Sequence, residues 1–317
     1  MKPAFSLVFF TVVSGAGLGL IALIALFDLF GPGSLPPPAV WRGTLLGLAL
    51  VATGLAASLL HLAKPRNAWR ALAGVRTSWL SREAAFAMLL FPVAGVYAAL
   101  AAQGTQWLGR TAFAVASAVV AWAVLASTAM IYASLRPIRQ WHTPWTPASY
   151  ALLGHWSGAL FLAATANAYG NAPASLVEVA AGLGLAGLAS KLGYWYTIGR
   201  AAPTTLTHAI GVDQGLRAGS ASTRGQARLL DVGHAESTFL TREFAFALAR
   251  RHADALRIVA LVLGFGLPLG FLVWGLARWP IALAVALCCM IGLVSERWLF
   301  FAEARHTVRL YRGELSA

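Results

Sequence analysis

Long apolar stretches separated by short polar ones run through most of the chain. Each stretch holds roughly 20 residues, the length that an α-helix needs to cross a hydrocarbon core of about 30 Å at about 1.5 Å per residue. The pattern predicts eight transmembrane helices, at about 5–27, 41–62, 83–102, 111–135, 148–168, 175–199, 256–277 and 280–301. We therefore expect an all-α polytopic membrane protein with a single membrane domain, in which residues 200–255 form a cytoplasmic loop and an interfacial helix.

The composition supports a membrane protein. Hydrophobic residues make up 59% of the 317 residues and charged residues 11%. Because a soluble domain carries about 25% charged residues, a water-soluble fold is excluded. The first apolar stretch follows Lys2, as in a signal peptide, but it lacks a small-residue cleavage site and further apolar stretches follow it. We interpret it as the first transmembrane helix.

Positive charge is concentrated on one side of the predicted membrane domain. With an even number of spans both termini share a side, and all but four of the 24 Lys and Arg residues fall there; the exceptions are Arg42, Arg110, Arg278 and Lys191. An excess of Lys and Arg marks cytoplasmic loops, so we predict that both termini are cytoplasmic. The net charge of +13 thus follows the topology and does not predict nucleic-acid binding. The longer loops also lie on this side, which predicts a docked partner there.

Two ionisable residues are expected at the cytoplasmic edge of adjacent spans. His61 ends the second predicted span and Glu83 begins the third. Ionisable groups inside a membrane are costly and usually functional, and a His and a Glu at similar depth are suited to exchanging protons with a bound redox molecule. Trp79, Ser81 and Arg82 surround this position. The alternative is that Ser81 caps a helix and that Arg82 and Glu83 form a solvated pair at an interface.

Other residues inside the predicted spans suggest packing more than chemistry. Gly15 and Gly19 have the G-x-x-x-G spacing of closely packed helices, or of a groove that admits a flat ligand. His155 lies about 10 Å inside the fifth span without a paired histidine, so we predict no haem; it is a hydrogen-bonded packing residue or a wall of a quinone pocket. Lys191 is expected to extend to the cytoplasmic surface.

Cysteine usage predicts no metal centre on this chain. Its two cysteines, Cys288 and Cys289, are adjacent inside the last predicted span, and no C-x-x-C motif is present. Adjacent cysteines suit neither a disulfide nor a cluster ligand set. Any iron–sulfur cluster that the protein uses is therefore expected on another chain.

Two stretches of sequence read almost alike. "TSWLSREAAFAML" covers residues 77–89 and "STFLTREFAFALA" covers residues 237–249. The likeness indicates either duplicated halves, and hence two four-helix bundles, or a chance similarity of two helix starts. In the first copy an apolar run follows the Arg-Glu pair at once, whereas in the second copy further charged residues follow it, as in an interfacial helix.

The motifs resemble a known family. "SLLHLAKPRNAWRAL" followed by "RTSWLSREAAF" is similar to the membrane-anchor subunit of the DMSO reductase type of molybdoenzyme, as are "QWHTPWTPASYALLG" and the tail "SERWLFFAEARHTVRLYRGEL". The resemblance covers all the predicted spans. The long loop after the sixth span and the tail look closer to the branch that anchors sulfite-oxidising enzymes.

The resemblance implies a function in electron transfer. A family member lies in the bacterial inner membrane, carries no haem and no catalytic centre of its own, and binds ubiquinone or menaquinone near the face where a four-cluster, ferredoxin-like iron–sulfur subunit docks. That subunit exchanges electrons with a molybdopterin catalytic subunit. By position, His61 and Glu83 would be the quinone-site residues, bordered by Trp79, Ser81 and Arg82. The loop cations, expected to contact the partner or anionic lipid headgroups, are Lys64, Arg66, Arg70 and Arg76.

Two other functions fit the same sequence less well. A transporter would suit an intramembrane Lys191 and duplicated bundles, but the polar residues crowd at one membrane edge. A purely structural anchor would tether soluble proteins without quinone chemistry.

Overall fold

The computed structural model describes residues 5–31, 33–60, 65–104, 108–200, 205–206, 252–274, 278–305, 307 and 310. His61, Lys64, the second copy at 237–249 and most of the predicted loop at 200–255 lie outside these residues. The helices are α1 Phe5–Phe30, α2 Pro37–Leu59, α3 Trp79–Ala102, α4 Leu108–Ala133, α5 Trp145–Tyr169, α6 Ala174–Arg200, α7 Ala253–Leu261, α8 Leu267–Trp274 and α9 Trp279–Ala302. A 3₁₀ segment occupies Pro65–Gly74, and a π-helical turn, Val262–Gly266, joins α7 to α8.

The all-helical prediction is confirmed for the described part of the chain, and seven helical stretches are long and apolar enough to cross a membrane. These are α1, α2, α3, α4, α6, α9 and the continuous stretch Ala253–Val273. The fifth predicted span is a helix of 25 residues, α5, which is not among these seven. Much of α5 is buried against other helices, so its polar residues need not face lipid. Its crossing of the membrane, and the side on which the termini lie, stay predictions.

The described helices fall into two groups of four, if α7, the π turn and α8 are taken as one. In the first group α1 packs on α2 and α4, and α3 packs on α2 and α4. In the second group α5 packs on α6 and α9, and α7 and α8 pack on α9. The groups meet along α1 and α5, which share an extensive contact. This arrangement agrees with the two expected bundles and puts α1 and α5 at the centre.

Small residues allow α1 and α5 to approach closely. A Cβ atom on Gly19 would lie 2.1 Å from the carbonyl oxygen of Gly154, and one on Gly158 would lie 2.4 Å from the backbone nitrogen of Leu20. Both distances are far below van der Waals contact, so only glycine fits. The predicted small-residue packing is confirmed at Gly19. The backbone of α5 lies directly against this glycine, so no groove for a flat ligand is present there. A Cβ on Gly15 would meet only the Gly154 Cα, at 3.8 Å.

One carbonyl oxygen of the π turn binds side chains from two neighbouring helices of the second group. The Gly264 carbonyl accepts hydrogen bonds from Trp156 Nε1 at 2.9 Å and from the Cys289 thiol at 3.3 Å. A π turn interrupts the regular α-helical ladder, which leaves such a carbonyl free for side chains of neighbouring helices. Cys289 therefore has a packing role between the π turn and α9.

Charged residues of the interior lie towards the two ends of the molecule. We call the end where α3 begins and α4 ends the basic end, because the exposed arginines of residues 66–76 lie there. The C-terminal end of α9 is at the same end, since Trp141, between α4 and α5, donates a hydrogen bond of 2.9 Å to the Phe300 carbonyl. The other end is called the opposite end.

Candidate functional site

The candidate site begins at the first turn of α3. Ser78 is extended, with φ −117°, and its hydroxyl oxygen accepts a hydrogen bond from the Ser81 backbone N–H at 3.4 Å. Ser78 is thus the N-cap, and the alternative in which Ser81 caps the helix is wrong. Ser81 itself is buried, with its hydroxyl against Gly74, where a Cβ would approach it to 2.8 Å.

Arg82 holds the preceding segment against α3. Its Nε donates to the Val75 carbonyl at 3.0 Å and its Nη2 to the Arg76 carbonyl at 2.8 Å. The guanidinium carbon lies 4.3 Å from the centre of the Trp79 ring, a cation–π distance. Arg82 therefore serves as a clamp on residues 75–76. The alternative of a solvated Arg82–Glu83 pair is wrong, because the two side chains face different surroundings.

Glu83 faces the interior of the molecule. It is 4% exposed, and its carboxylate accepts a short hydrogen bond from the Thr128 hydroxyl of α4. An acid buried with so few partners is costly, and such positions are often functional in membrane proteins. Glu83 lies about 6 Å from the start of α3 at about 1.5 Å per residue.

The predicted site residues form two sets. Ser81 and Glu83 are buried, whereas Trp79 and Arg82 are half-buried and contact the preceding segment. The 3₁₀ segment and the turn after it present exposed cations, with the Trp69 side chain beside them: Arg66, Arg70 and Arg76. Their role in docking stays a prediction.

A buried ion pair, which the sequence analysis missed, lies between α6 and α9. The Lys191 ammonium of α6 pairs with the Glu296 carboxylate of α9, and the two side chains are 1% and 0% exposed. The prediction that Lys191 extends to the surface is wrong, because Glu296 satisfies its charge inside the molecule. The Lys191 Nζ also lies 4.0 Å from the centre of the Tyr194 ring.

Arg297 adds a second buried cation to this pair. Its Nε lies 3.5 Å from a carboxylate oxygen of Glu296, and its guanidinium carbon lies 3.8 Å from the centre of the Tyr150 ring. Arg297 is 3% exposed, although it is one of the cations predicted on the cytoplasmic side. We call Lys191, Glu296 and Arg297 the charged cluster. It holds two cations and one carboxylate.

A further pair lies between the charged cluster and the end of the molecule. Arg257 of α7 pairs with Glu303, the residue after α9, whose side chain is 12% exposed. Burial raises the pKa of Glu303, and the charge and hydrogen bond of Arg257 partly oppose that rise. Glu303 therefore connects the interior of the basic end to its surface.

His155 has partners for both ring nitrogens. Nδ1 lies 2.7 Å from the Ala151 carbonyl, and Nε2 lies 2.9 Å from Trp122 Nε1, which donates to it. This arrangement agrees with a hydrogen-bonded packing residue. Within the described ranges, no three His, Cys, Asp or Glu side chains are grouped as metal ligands.

The opposite end carries an ion pair that joins three helices. Asp28, near the end of α1, accepts hydrogen bonds from Arg110 Nε at 3.1 Å, from Arg110 Nη2 at 2.5 Å and from the Tyr97 hydroxyl at 2.9 Å. These groups tie α1, α3 and α4 together where the chain turns between helices.

The fold and these sites define a helical membrane protein with a basic surface and buried acids at one end. The chain belongs to the family of DMSO reductase anchor subunits (DmsC), whose model matches residues 1–301. It is similar to the C subunit of sulfite dehydrogenase from Allochromatium vinosum, with 35% identity over 338 aligned positions that cover 98% of each chain. The family resemblance inferred from the sequence is confirmed, and the chain is a multi-pass membrane anchor.

Proposed function

We propose that the protein anchors a molybdopterin oxidoreductase complex of the sulfite dehydrogenase type to the bacterial inner membrane, and that it binds quinone at the basic end. In this role it exchanges electrons between the quinone pool of a respiratory chain and a docked iron–sulfur subunit. The observation that carries the proposal is the burial of Glu83, whose carboxylate accepts a hydrogen bond from Thr128, at the end of the molecule that carries the exposed arginines.

The residues around Glu83 suit a proton-exchanging ligand. A bound quinone supplies chemistry of two electrons and two protons. The Glu83 carboxyl takes up or releases a proton, and the Thr128 hydroxyl holds that carboxyl between α3 and α4. Burial of Glu83 keeps bulk water from exchanging with the site directly. The corresponding role of His61 rests on the family resemblance, because His61 lies outside the described residues.

The exposed cations of residues 65–77 support docking at the same end. Arg66, Arg70 and Arg76 are exposed, and Arg82 fixes the backbone that carries Arg76. A rigid basic surface attracts an acidic partner face and orients it. An iron–sulfur subunit bound there would lie near Glu83, which electron transfer over a short distance requires.

The test is quinol-linked electron transfer in the assembled complex. The complex is extracted gently, its subunits are identified by mass spectrometry, and its absorbance spectrum is recorded. Glu83→Gln removes the exchangeable proton and keeps the shape, so turnover with quinol is expected to fall at least about 100-fold with assembly intact. The control is Glu178→Gln, at an exposed acid of α6. If turnover of Glu83→Gln were unchanged, the quinone chemistry at Glu83 would be refuted, and a purely structural anchor would be favoured.

A further inference from the structure

An open cleft lies at the opposite end of the molecule, where the two groups of helices meet. Its volume is about 270 Å³, and residues of α2, α5 and α9 line it, among them Arg42, Leu46, Phe161, Tyr169, Trp279 and Leu283. At this end α2 begins, α5 ends and α9 begins. Because α2 belongs to one group and α5 and α9 to the other, the cleft lies on the boundary between the groups.

Arg42 is the cation of this cleft, and it has no counter-charge among the described residues. Its guanidinium carbon lies 4.7 Å from the centre of the Trp41 ring and 4.6 Å from that of Tyr169, which are cation–π distances. It forms no ion pair and no hydrogen bond with a described residue, and Asp28 at the same end pairs with Arg110 instead. The two rings therefore hold a guanidinium whose N–H donors remain available to a ligand.

Apolar walls continue from Arg42 towards the middle of the molecule. Leu46 lies one helical turn beyond Arg42 on α2, and Leu283 lies one turn from the start of α9. On α5 the lining extends from Tyr169 back to Phe161, about 12 Å at about 1.5 Å per residue. A cation at the opening and apolar walls behind it suit an amphiphile, with its charged head at Arg42 and its hydrocarbon along α5.

Aromatic residues place the opening of the cleft at the level of lipid headgroups. Tyr169 and Trp279 are 40% and 50% exposed, and such residues are enriched where a membrane meets water. An arginine near a helix end likewise directs its charge to this level. The volume is close to the lower limit of roughly 300–1,000 Å³ for small-molecule sites. The cleft therefore has room for a headgroup and the beginning of one chain.

We propose that this cleft binds one anionic phospholipid, with the phosphate on Arg42 and the start of an acyl chain along α5. A guanidinium matches a phosphate in charge and in hydrogen-bond geometry. A zwitterionic headgroup brings a cation of its own, which Arg42 repels. A quinone brings no charge, and among the described lining residues there is no His or carboxylic acid to exchange its protons. The bound lipid fills the boundary between the groups and holds α2 to α5 and α9.

The first test measures lipid binding to the assembled complex. The complex is exchanged into detergent to remove lipid and titrated with phosphatidylglycerol or phosphatidylcholine, and bound lipid is counted by native mass spectrometry. One site should prefer phosphatidylglycerol, and Arg42→Gln should weaken binding there at least about tenfold, because a hydrogen-bonded charge pair is lost. Equal binding of the two lipids, or equal binding to Arg42→Gln and the wild type, would overturn the proposal.

The matched control for charge is Arg278→Gln. Arg278 is also exposed and lies just before α9 at the same end, but it does not line the cleft. Its replacement removes the same charge from the same end of the molecule and should leave the preferred site unchanged. If Arg278→Gln weakens binding as much as Arg42→Gln does, the lipid responds to the charge of this end as a whole, and the cleft is not its site.

The second test blocks the cleft without changing charge. Ala168 lines the cleft and is exposed, so Ala168→Leu fills the cleft without disturbing the interior. Phosphatidylglycerol should raise the Tm of the wild-type complex by roughly 2–4 °C, and this rise should be lost in Ala168→Leu. Ala49→Leu, at an exposed alanine of α2 outside the cleft, should keep it. A rise that persists in Ala168→Leu would overturn the proposal.

A cryo-EM map of the complex in nanodiscs with phosphatidylglycerol shows the occupant directly. Headgroup density is expected within about 3.2 Å of a guanidinium nitrogen of Arg42, continuing as a chain along α5. An empty cleft would overturn the proposal, and a planar ring there would assign the cleft to quinone instead. None of these measurements depends on turnover with quinol, so their outcome is independent of the proposed function.

Discussion

The two ends of the molecule both bury opposite charges, but they satisfy them differently. At the opposite end Asp28 and Arg110 form a pair of one anion and one cation, with side chains 12% and 10% exposed, and Tyr97 adds a third hydrogen bond. At the basic end Lys191, Glu296 and Arg297 combine two cations with one carboxylate at nearly complete burial. The first arrangement is balanced in charge, and the second has an excess positive charge.

The difference indicates which end is built for stability alone. A balanced pair joins helices and needs nothing further, which suits a turn between α1, α3 and α4. A buried excess charge is costly. The end with the excess charge is also the one that carries the exposed arginines. The proposed chemistry and the proposed docking surface therefore both lie at the basic end.

The largest effect is expected from Glu296. Glu296→Gln leaves two buried cations without a counter-charge, which should cost about 3–5 kcal/mol. Lys191→Met should cost much less, because Glu296 keeps Arg297 at 3.5 Å as a partner. Thermal unfolding of both variants in detergent measures the difference. Equal losses would mean that the cluster is a simple pair like that of the opposite end.

A smaller effect is expected at the opposite end. Asp28→Asn removes the charge that pairs with Arg110 but keeps an acceptor for Tyr97, and the Arg110 side chain, which is 10% exposed, keeps some contact with solvent. The loss should be about 1–3 kcal/mol, with quinol-linked turnover of the remaining folded complex unchanged. The double variant Asp28→Asn, Arg110→Met should regain part of the stability, as expected for a balanced pair. A fall in turnover per folded complex would show that this end also has a functional role.

The helices were predictable because each membrane span is a continuous run of apolar residues in the sequence. The span predicted at 111–135 corresponds to α4, Leu108–Ala133, and the one at 175–199 to α6, Ala174–Arg200. Apolar length alone fixes such elements. The position of Glu83 at the start of the third span was likewise predictable, but its burial against Thr128 was not, because that depends on how α3 and α4 pack.

The charged cluster could not be assembled from sequence because its members are distant along the chain. Taken by itself, Lys191 predicts the wrong environment, since an isolated lysine near a helix end ordinarily extends to the surface. Glu296, inside the span predicted at 280–301, was the signal for a partner. Pairing of ionisable residues at matching depth would have indicated the ion pair. The N-cap was missed for a similar reason, since Ser78 and Ser81 are both suitable residues and only backbone geometry separates them.

The smallest effect concerns Glu303, at the surface of the basic end. Because burial raises its folded pKa above the ordinary value of 4.5, the folded state binds this proton more tightly than the unfolded state does. Stability should therefore fall as the pH rises from about 4.5 through the raised pKa. Glu303→Gln should flatten that part of the dependence of Tm on pH, whereas Asp254→Asn, at an exposed acid that also contacts Arg257, should leave it unchanged. If Glu303→Gln leaves the pH dependence as it is in the wild type, Glu303 titrates as a solvated surface acid and its burial beside Arg257 has no effect on stability.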